Sequence, residues 1–401
     1  MLELTEARNR IIAAIQPLGF EPVPLFVAHG RFAAETVTSP IDLPVFDNSA
    51  MDGYAVDAGD LVPASSEHPI CLQLEGKIAA GGIFPGEVAS GKCVRLFTGS
   101  RLPSGTNAVV MQEEVRVDPQ HASSIWFSAP AHPWENVRLR GEDVKRGAAL
   151  VQKGMRLTVG RINLLAAVGL TNLSVARQPS VGLLATGSEL RESGQLLGPG
   201  EIYESNRTGL SVFLAKLGGK PRIYPLIKDS PADTRAALET ALGECDIIVT
   251  SGGVSVGEFD FVKTAFQSIG GTLDFWKVAI RPGKPFVFGQ WKEKFLFGLP
   301  GNPVSAMVTC LVLVRPAVLR YQGALEAAIP DQWGILAEAL SNCGERRHFM
   351  RVKVNDEGKV FSAGTQASHS LSSLAEADGV VDVPAQTTLQ PGMLVRLLTW
   401  D

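Results

Sequence analysis

Between residues 178 and 325 short apolar runs alternate with helix-spaced stretches, and no other feature limits the folding of this chain as strongly. Val181-Gly-Leu-Leu-Ala185 is a continuous apolar run ending at Thr186-Gly187, the pattern of a strand buried on both faces. Helical spacing follows from about Ser205 to Leu217, then a strand at Arg222–Ile227 and a helix at Pro231–Leu242. Asp246-Ile-Ile-Val-Thr250 is a second buried-strand run, and it leads into Ser251-Gly252-Gly253. Strands separated by helices of this length require crossover connections. The segment therefore predicts a mostly parallel sheet covered by helices on both faces.

The remainder divides around that α/β domain. The first forty residues show helical spacing at Leu4, Ile11, Ile12 and Ile15. Residues 41–140 are rich in Gly and Pro, with short β-like runs at Cys93–Phe97 and Ala108–Met111, and read as a β-rich domain. Helical spacing returns after Thr158, through Ile162, Leu165 and Ala166 to Gly169. Helices on both sides of a β domain suggest an insertion. The expected division is a discontinuous helical domain at 1–40 and 141–177, an inserted β-rich domain at 41–140, an α/β domain at 178–327 and a small C-terminal β domain at 328–401. Turns at Asn355–Gly358 and Gln390-Pro391-Gly392 mark the last.

Composition excludes several classes. Apolar residues make up 45% and charged residues 19%, with a net charge of −4, so a disordered chain is excluded. Lys and Arg (37) are outnumbered by Asp and Glu (41), which argues against a nucleic-acid partner held by bulk charge. Five scattered cysteines predict reduced thiols in a cytoplasmic protein. The apolar run at Met307–Val314 is too short to span a bilayer and is followed by Arg315, so no membrane partner is expected. Glu3, Glu6 and Arg8 near the N-terminus argue against a signal peptide.

Candidate chemistry gathers at the predicted strand ends. A lone Gly-Gly pair is most simply a tight turn, but the loop from Ser251 to Asp260 also carries Ser255, Gly257 and a carboxylate. Gly252, Gly253 and Gly257 let backbone N–H groups approach an anion, and a helix start follows. Leu299-Pro300-Gly301-Asn302-Pro303 sits between an apolar strand and a long apolar helix and reads as a second wall of the same pocket. Lys277, Arg281 and Lys284 lie in a segment stiffened by Pro282 and Pro285, which suits a phosphate or oxyanion better than a solvated face. Glu189, Asp229 and Asp260 all fall just beyond strand ends. Acids beside a phosphate need a cation between them, and Mg²⁺ is the usual hard-oxygen choice. Outside this domain, Phe46-Asp-Asn-Ser-Ala-Met-Asp-Gly-Tyr-Ala55 reads as a shaped loop presenting Asp52, with no task assigned by its chemistry alone.

Five motifs, in order, resemble one family. They are Asp47-Asn-Ser-Ala-Met-Asp-Gly-Tyr-Ala-Val56, Arg140-Gly-Glu-Asp143, Thr186-Gly-Ser-Glu-Leu190, Ser251-Gly-Gly-Val-Ser-Val-Gly257 and Gly298-Leu-Pro-Gly-Asn-Pro-Val-Ser305. The chain is similar over its whole length to the MoeA family of molybdopterin molybdenumtransferases, which includes the E domain of gephyrin. The resemblance implies a multidomain fold with a three-layer molybdopterin-binding α/β domain, an inserted β-rich domain, a discontinuous helical segment and a small barrel-like C-terminal β domain. It implies a homodimer that inserts molybdate into adenylylated molybdopterin and releases AMP with help from Mg²⁺. On this resemblance Asp52, Thr98, Glu189, Asp229, Asp260, Lys277, Arg281 and Lys284 are catalytic candidates, with Glu189, Asp229 and Asp260 as metal ligands. Ser251, Gly252, Gly253, Ser255, Gly257, Pro300, Gly301, Asn302, Arg347 and Ser368 are expected to bind the molybdopterin substrate. A molybdopterin adenylyltransferase and molybdoenzyme maturation proteins are implied partners. Two residues depart from the family pattern: Ser188 stands where a carboxylate is common, and Arg281 where lysine is expected. The rival readings are an adenylyltransferase or a non-catalytic molybdopterin-binding scaffold.

Overall fold

A computed structural model describes residues 1–254, 261–325 and 332–400. The chain forms two compact units, one of residues 1–35, 153–158 and 172–401, the other of residues 36–152 and 159–171.

The first unit is organised by a six-stranded sheet in the order Lys220–Ile223, Ser180–Ala185, Ile247–Ser251, Lys294–Leu299, Pro285–Trp291, Thr272–Lys277. The first four strands run parallel, and Pro285–Trp291 runs antiparallel to both its neighbours. The alternation of side chains along each strand builds a core on either face. Val181, Leu183, Ile247, Val249, Phe295 and Phe297 point into one, with the helices Leu4–Ala14 and Asn206–Lys216 and the long helical run from Pro303 to Tyr321. Leu184, Ile248, Leu296 and Val287 point into the other, against the helices Pro231–Glu244 and Val262–Ser268. Runs that are apolar at every position are thus explained by burial on both faces. Aromatic rings thicken the first core, with Phe288 and Phe297 centroids 5.2 Å apart.

The run from Pro303 to Tyr321 is α-helical to Thr309, opens into a π turn at Cys310–Val314 and resumes at Arg315. Pro316 has no N–H to return to the preceding turn, and the carbonyl of Val312 instead accepts from Arg8 Nε at 3.4 Å. By length and composition these 19 residues suffice to cross a membrane, although 78% of the apolar window is buried inside the protein. The sequence reading ended the apolar stretch at Arg315. The helix continues because this arginine is itself largely buried and donates to Thr399 O at 3.1 Å.

The C-terminal strands close into a five-stranded barrel. Arg347–Val354 pairs with Lys359–Ser362, then Gln332–Leu336, Leu394–Thr399 and Gly379–Val383 follow, and the last pairs back onto Arg347–Val354. Met350, Val352, Val360, Val381, Val383, Val395 and Leu397 fill its interior. Closure leaves no edge strand unpaired in the ring.

The second unit holds a six-stranded sheet in the order Ala108–Met111, Gly53–Val56, Lys92–Leu96, Ile70–Ile78, Ser124–Phe127, Val115–Val117. Tyr54 and Val56 face one core with Leu72, Cys93 and Phe127, and Ala55 faces another with Ile78, Val94 and Val109. The two flanks of the insertion meet in the first unit, where Phe20–Pro24 pairs antiparallel with Asn172–Ala176. The flanking helices do not share a unit. Leu4–Ala14 buries Leu4, Ala7 and Ile11 in the α/β core, whereas Val159–Ala167, with only Leu165 buried, groups with residues 36–152. This grouping differs from the 1–40 plus 141–177 domain read in the sequence.

All five cysteines are free, with Cys93, Cys245 and Cys310 buried. Burial pushes the Cys93 thiol up to about 12, so it stays protonated and unreactive at neutral pH.

Candidate functional site

The strand order reverses between Ser180–Ala185 and Ile247–Ser251, and the crevice beyond the carboxyl ends of the strands at such a point is where open α/β sheets bind ligands. Three loops meet there. Thr186 N–H donates to Ser251 O at 3.1 Å, and Gly252 N–H donates to Leu299 O at 3.1 Å. Gly252 and Gly253 have φ of +87° and +66°, a region that side chains other than glycine's disfavour. A Cβ on Gly252 would sit 2.7 Å from Thr186 O, and one on Gly301 only 3.7 Å from Gly252 Cα. The Ser251–Gly253 and Pro300–Asn302 loops are therefore in direct contact, as two walls of one cleft.

Sequence reasoning missed the residue that ties these walls together. Asn206 opens the helix Asn206–Lys216, and its Nδ2 donates to Ser251 Oγ at 2.6 Å and to Gly301 O at 2.7 Å. The available signal was the polar run Glu204-Ser-Asn-Arg207 at a helix start inside an otherwise apolar domain. Ser255, Gly257 and Asp260 lie outside the described residues.

The second wall carries less free backbone than its sequence suggests. Pro303 has no N–H, and Val304 N–H donates to Ser368 O at 3.2 Å. Asn302 makes no capping bond with its side chain; its Nδ2 donates to Ser368 Oγ at 3.1 Å. Ser368 thus reaches the cleft wall through both its backbone and its hydroxyl. Arg347 pairs with Asp382, its Nε lying 2.9 Å from each carboxylate oxygen. Arg351 supports the Ser368 loop. It is fully buried, and its guanidinium donates to Thr365 O, to Ala367 O at 3.1 Å and to Ser373 Oγ at 2.9 Å. Nothing in the spacing of the basic residues at 346, 347 and 351 distinguishes it before folding.

Two carboxylates stand at the same sheet edge. Ser188 N–H donates to Asp229 Oδ2 at 2.9 Å, and Asp229 N–H donates to Ser188 Oγ at 3.2 Å. The serine that departs from the family pattern therefore orients Asp229 by a reciprocal pair of bonds. Glu189 is exposed, and its carboxylate folds over Gly187, with Oε2 2.8 Å from where a Cβ there would lie. Among the described residues, no group of three or more His, Cys, Asp or Glu side chains is placed to hold a metal ion.

The cations occupy the far end of that edge. Lys277 is half-buried at the end of Thr272–Lys277, while Arg281 and Lys284 are exposed on the following turn. Pro282 and Gly283 are buried, and a Cβ on Gly283 would come within 2.3 Å of Thr309 Cγ2. The turn is pressed onto the long helix, so the charges sit on a fixed backbone. Ile280–Arg281 also pairs in parallel with Arg347–His348, which brings Arg281 beside the barrel.

That pairing leaves a pH signature. His348 is buried, and burial together with Arg281, Arg351 and Arg346 lowers its pKa from 6.5 to about 4. The unfolded chain takes up this proton near 6.5 and the folded chain not until about 4, so stability is lost as the pH falls through that window. Thermal melts at about pH 7 and pH 5 are expected to show a larger drop in Tm for the wild type than for His348→Gln. Equal drops would exclude this role.

In the other unit, Thr98 donates to Asp52 Oδ1 through both its N–H and its hydroxyl, each at 2.8 Å. These two bonds, with Arg95 nearby, hold the Asp52 carboxyl below the usual carboxylate range. Asp52 is thus an ionised acceptor on a built loop. Ser49 N–H donates to Ser100 O and Gly99 N–H to Ser49 O, at 2.9 and 2.8 Å, so the loops carrying the pair are joined.

Taken chemically, the α/β cleft offers glycine-lined backbone to phosphate or oxyanion groups and carboxylate oxygens to a hard cation, with fixed cations farther along the same edge. Known proteins match the chain along its whole length. Residues 2–169 match the MoeA N-terminal region (domain I and II), residues 182–320 the probable molybdopterin binding domain, and residues 334–400 the MoeA C-terminal region (domain IV). The molybdopterin molybdenumtransferase of Haemophilus influenzae is 38% identical over 384 residues, covering 94% of this chain and 93% of that protein. Its namesake in Bacillus subtilis is 33% identical, covering 92% and 87%. A crystal structure of the molybdopterin biosynthesis MoeA protein from Pyrococcus horikoshii superposes with a TM-score of 0.86 at 30% identity, covering 99% of this chain and 100% of that one. Full-length relatives, three consecutive family regions and one shared fold establish that this chain belongs to the MoeA family.

Proposed function

We propose that this chain inserts molybdate into adenylylated molybdopterin and releases AMP. The observation that supports the reading is the meeting of the Gly252/Gly253 and Gly301 loops at the switch point of the sheet, with Asp229 and Glu189 beyond the neighbouring strand end and Lys277, Arg281 and Lys284 farther along the same sheet edge. In the balanced reaction the two dithiolene thiols replace one oxygen of molybdate, which leaves as water, and one water cleaves the phosphoanhydride to give AMP and the molybdopterin phosphate. The glycine loops hold the phosphates, with Ser251 and Asn302 flanking them. Lys277, Arg281 and Lys284 neutralise molybdate and the charge that builds on the departing phosphate oxygens, the kind of stabilisation a preorganised site supplies.

The donor chemistry fits Mg²⁺, which commonly takes one or two carboxylates together with substrate phosphates and keeps several waters. Asp229 and Glu189 would hold it, with Asp260 as the third sequence candidate, and the ion would supply Lewis-acid stabilisation of phosphate charge. The chain acts as a cytoplasmic homodimer in this proposal, and Asp52 and Thr98 enter through a second copy. A molybdopterin adenylyltransferase would deliver the substrate and maturation proteins of molybdoenzymes would take the product. Length supports this reading over an adenylyltransferase, since the relatives named molybdenumtransferase match almost end to end.

The test is AMP release from adenylylated molybdopterin, followed with and without molybdate. Chelation with EDTA is expected to stop the release and added Mg²⁺ to restore it. Release that persists undiminished in EDTA would remove the metal from the proposal.

A further inference from the structure

The two glycine-rich loops are joined at their bases by the strand ladder, and it is past those bases that their spacing needs a further tie. The strand ladder pairs Ser251 with Leu299, and Gly252 N–H still donates to Leu299 O at 3.1 Å, but Gly252 and Gly301 themselves meet without side chains. A phosphate held between two such walls needs their N–H groups fixed to within a fraction of an ångström. The only side-chain donor seen to bridge the two loops, among the described residues, is Asn206. An amide nitrogen carries two hydrogens, and Asn206 spends one on each wall.

The residue making this bridge is itself unusually well anchored. Arg207, next in sequence, is 2% exposed. Its backbone N–H and Nε donate to the two oxygens of Glu204 at 2.9 and 2.8 Å. Its other nitrogens reach both oxygens of Glu192 at 2.9 Å and the carbonyl of Tyr224. Glu204 is as buried as its partner. A buried ion pair does little for net stability against an apolar alternative, but it defines one geometry, since every donor must find its acceptor. Here the geometry it defines is the first turn of Asn206–Lys216, and with it the position of the Asn206 amide.

We propose that Asn206 is a positioning residue of the reaction: its amide sets the spacing of the Ser251–Gly253 and Pro300–Asn302 loops, and the Glu204–Arg207–Glu192 cluster fixes the amide. The proposal rests on the cleft being the reaction site. It separates two roles that the helix start combines, an anchor that is structural and a bridge whose effect falls on the bound phosphates.

The anchor is a poor place to test this, because removing Arg207 would strand the buried Glu204 carboxylate and unfold the region. Asn206 itself is accessible. Asn206→Asp keeps the shape of the side chain and places a negative charge in the first turn of a helix, where it is tolerated. It replaces the donors with an oxygen that faces the Gly301 carbonyl, so the bridge is lost. Asn206→Ala removes the bridge without adding charge. Steady-state AMP release, with kcat expressed per folded molecule and KM for adenylylated molybdopterin, is measured beside thermal melts. For Asn206→Ala the expected result is a kcat lower by roughly tenfold to a hundredfold, with KM changed by less than about threefold and a Tm lowered by only a few degrees, so that the variant stays folded at the assay temperature. Asn206→Asp is expected to show the same loss of kcat and a raised KM, since its charge faces the phosphates. Variants with wild-type kcat per folded molecule, or with losses that only follow the unfolded fraction, would overturn the proposal. A wild type that releases no AMP would instead remove the functional reading, and the proposal with it.

Discussion

Asp229→Ala is expected to lower molybdate-dependent AMP release by roughly a hundredfold to ten-thousandfold, the range associated with losing a metal ligand or a charge-bearing group from a reaction centre. The expectation follows from position. Asp229 lies past the bridge that pairs Thr186 with Ile227, at the strand end bordering the switch point of the sheet. The reciprocal bonds with Ser188 leave its second oxygen, Oδ1, directed by a fixed partner rather than by chance of rotamer. Asp229→Asn keeps an oxygen for the Ser188 N–H and loses the charge, so the two variants separate geometry from electrostatics. Comparable losses in both would assign the effect to charge. The fold should tolerate either change, because this pair sits at the surface, where a single hydrogen bond contributes about 1 kcal/mol. Activity within about threefold of wild type in both variants would exclude Asp229 from the reaction.

The largest effect on stability is expected at Gly53. This residue pairs with Leu96 on one side and Met111 on the other, at the start of a central strand. A Cβ there would lie 2.2 Å from the carbonyl oxygen of Val110 and 2.9 Å from Val109 Cγ1. The first of these atoms is backbone in a hydrogen-bonded strand and has nowhere to go. Gly53→Ala is therefore expected to destabilise the unit of residues 36–152 and 159–171 by more than about 3 kcal/mol. Calorimetry should register this as a drop in Tm of roughly 10 °C or more. Gly160 provides the contrast, since it lies in the helix Val159–Ala167 with no atom within 4 Å of its Cβ position. Gly160→Ala should leave stability unchanged or raise it by up to about 1 kcal/mol. If the two substitutions had equal effects, the strand contact at Gly53 would not be what that glycine serves.

These two residues show what the chain discloses before it folds. The strands at 180–185 and 247–251 were legible because burial on both faces demands unbroken apolar runs, and few other structures do. The glycine loops were legible because their positions follow directly from the strand ends. The barrel was visible only as short runs and turns, since its closure depends on Gly379–Val383 returning to Arg347–Val354, a pairing that no local pattern encodes. Asn206 and Arg351 were not legible for a related reason. Each acts through partners distant in sequence, Ser251 and Gly301 for one, the carbonyls of 365 and 367 for the other, and an isolated Asn or Arg carries no sign of its partners. Arg347 is no more distinctive in sequence than Arg351, and only packing shows that its Nε bonds to Asp382.

Ser188 illustrates the converse. It stands where the family pattern commonly has a carboxylate, and the fold uses its hydroxyl and N–H to hold Asp229 in place. Arg281 likewise stands where lysine is expected, and its backbone pairs with the barrel strand Arg347–Val354, which fixes where its charge sits.

The central claim is tested most directly by mixing the protein with adenylylated molybdopterin and Mg²⁺, with and without molybdate, and following AMP. The account predicts release that depends on molybdate and is lost in Asp229→Ala. Tight binding of the adenylylated substrate with no AMP at any molybdate concentration would contradict it, and the cleft would then be a molybdopterin-binding site without insertion chemistry.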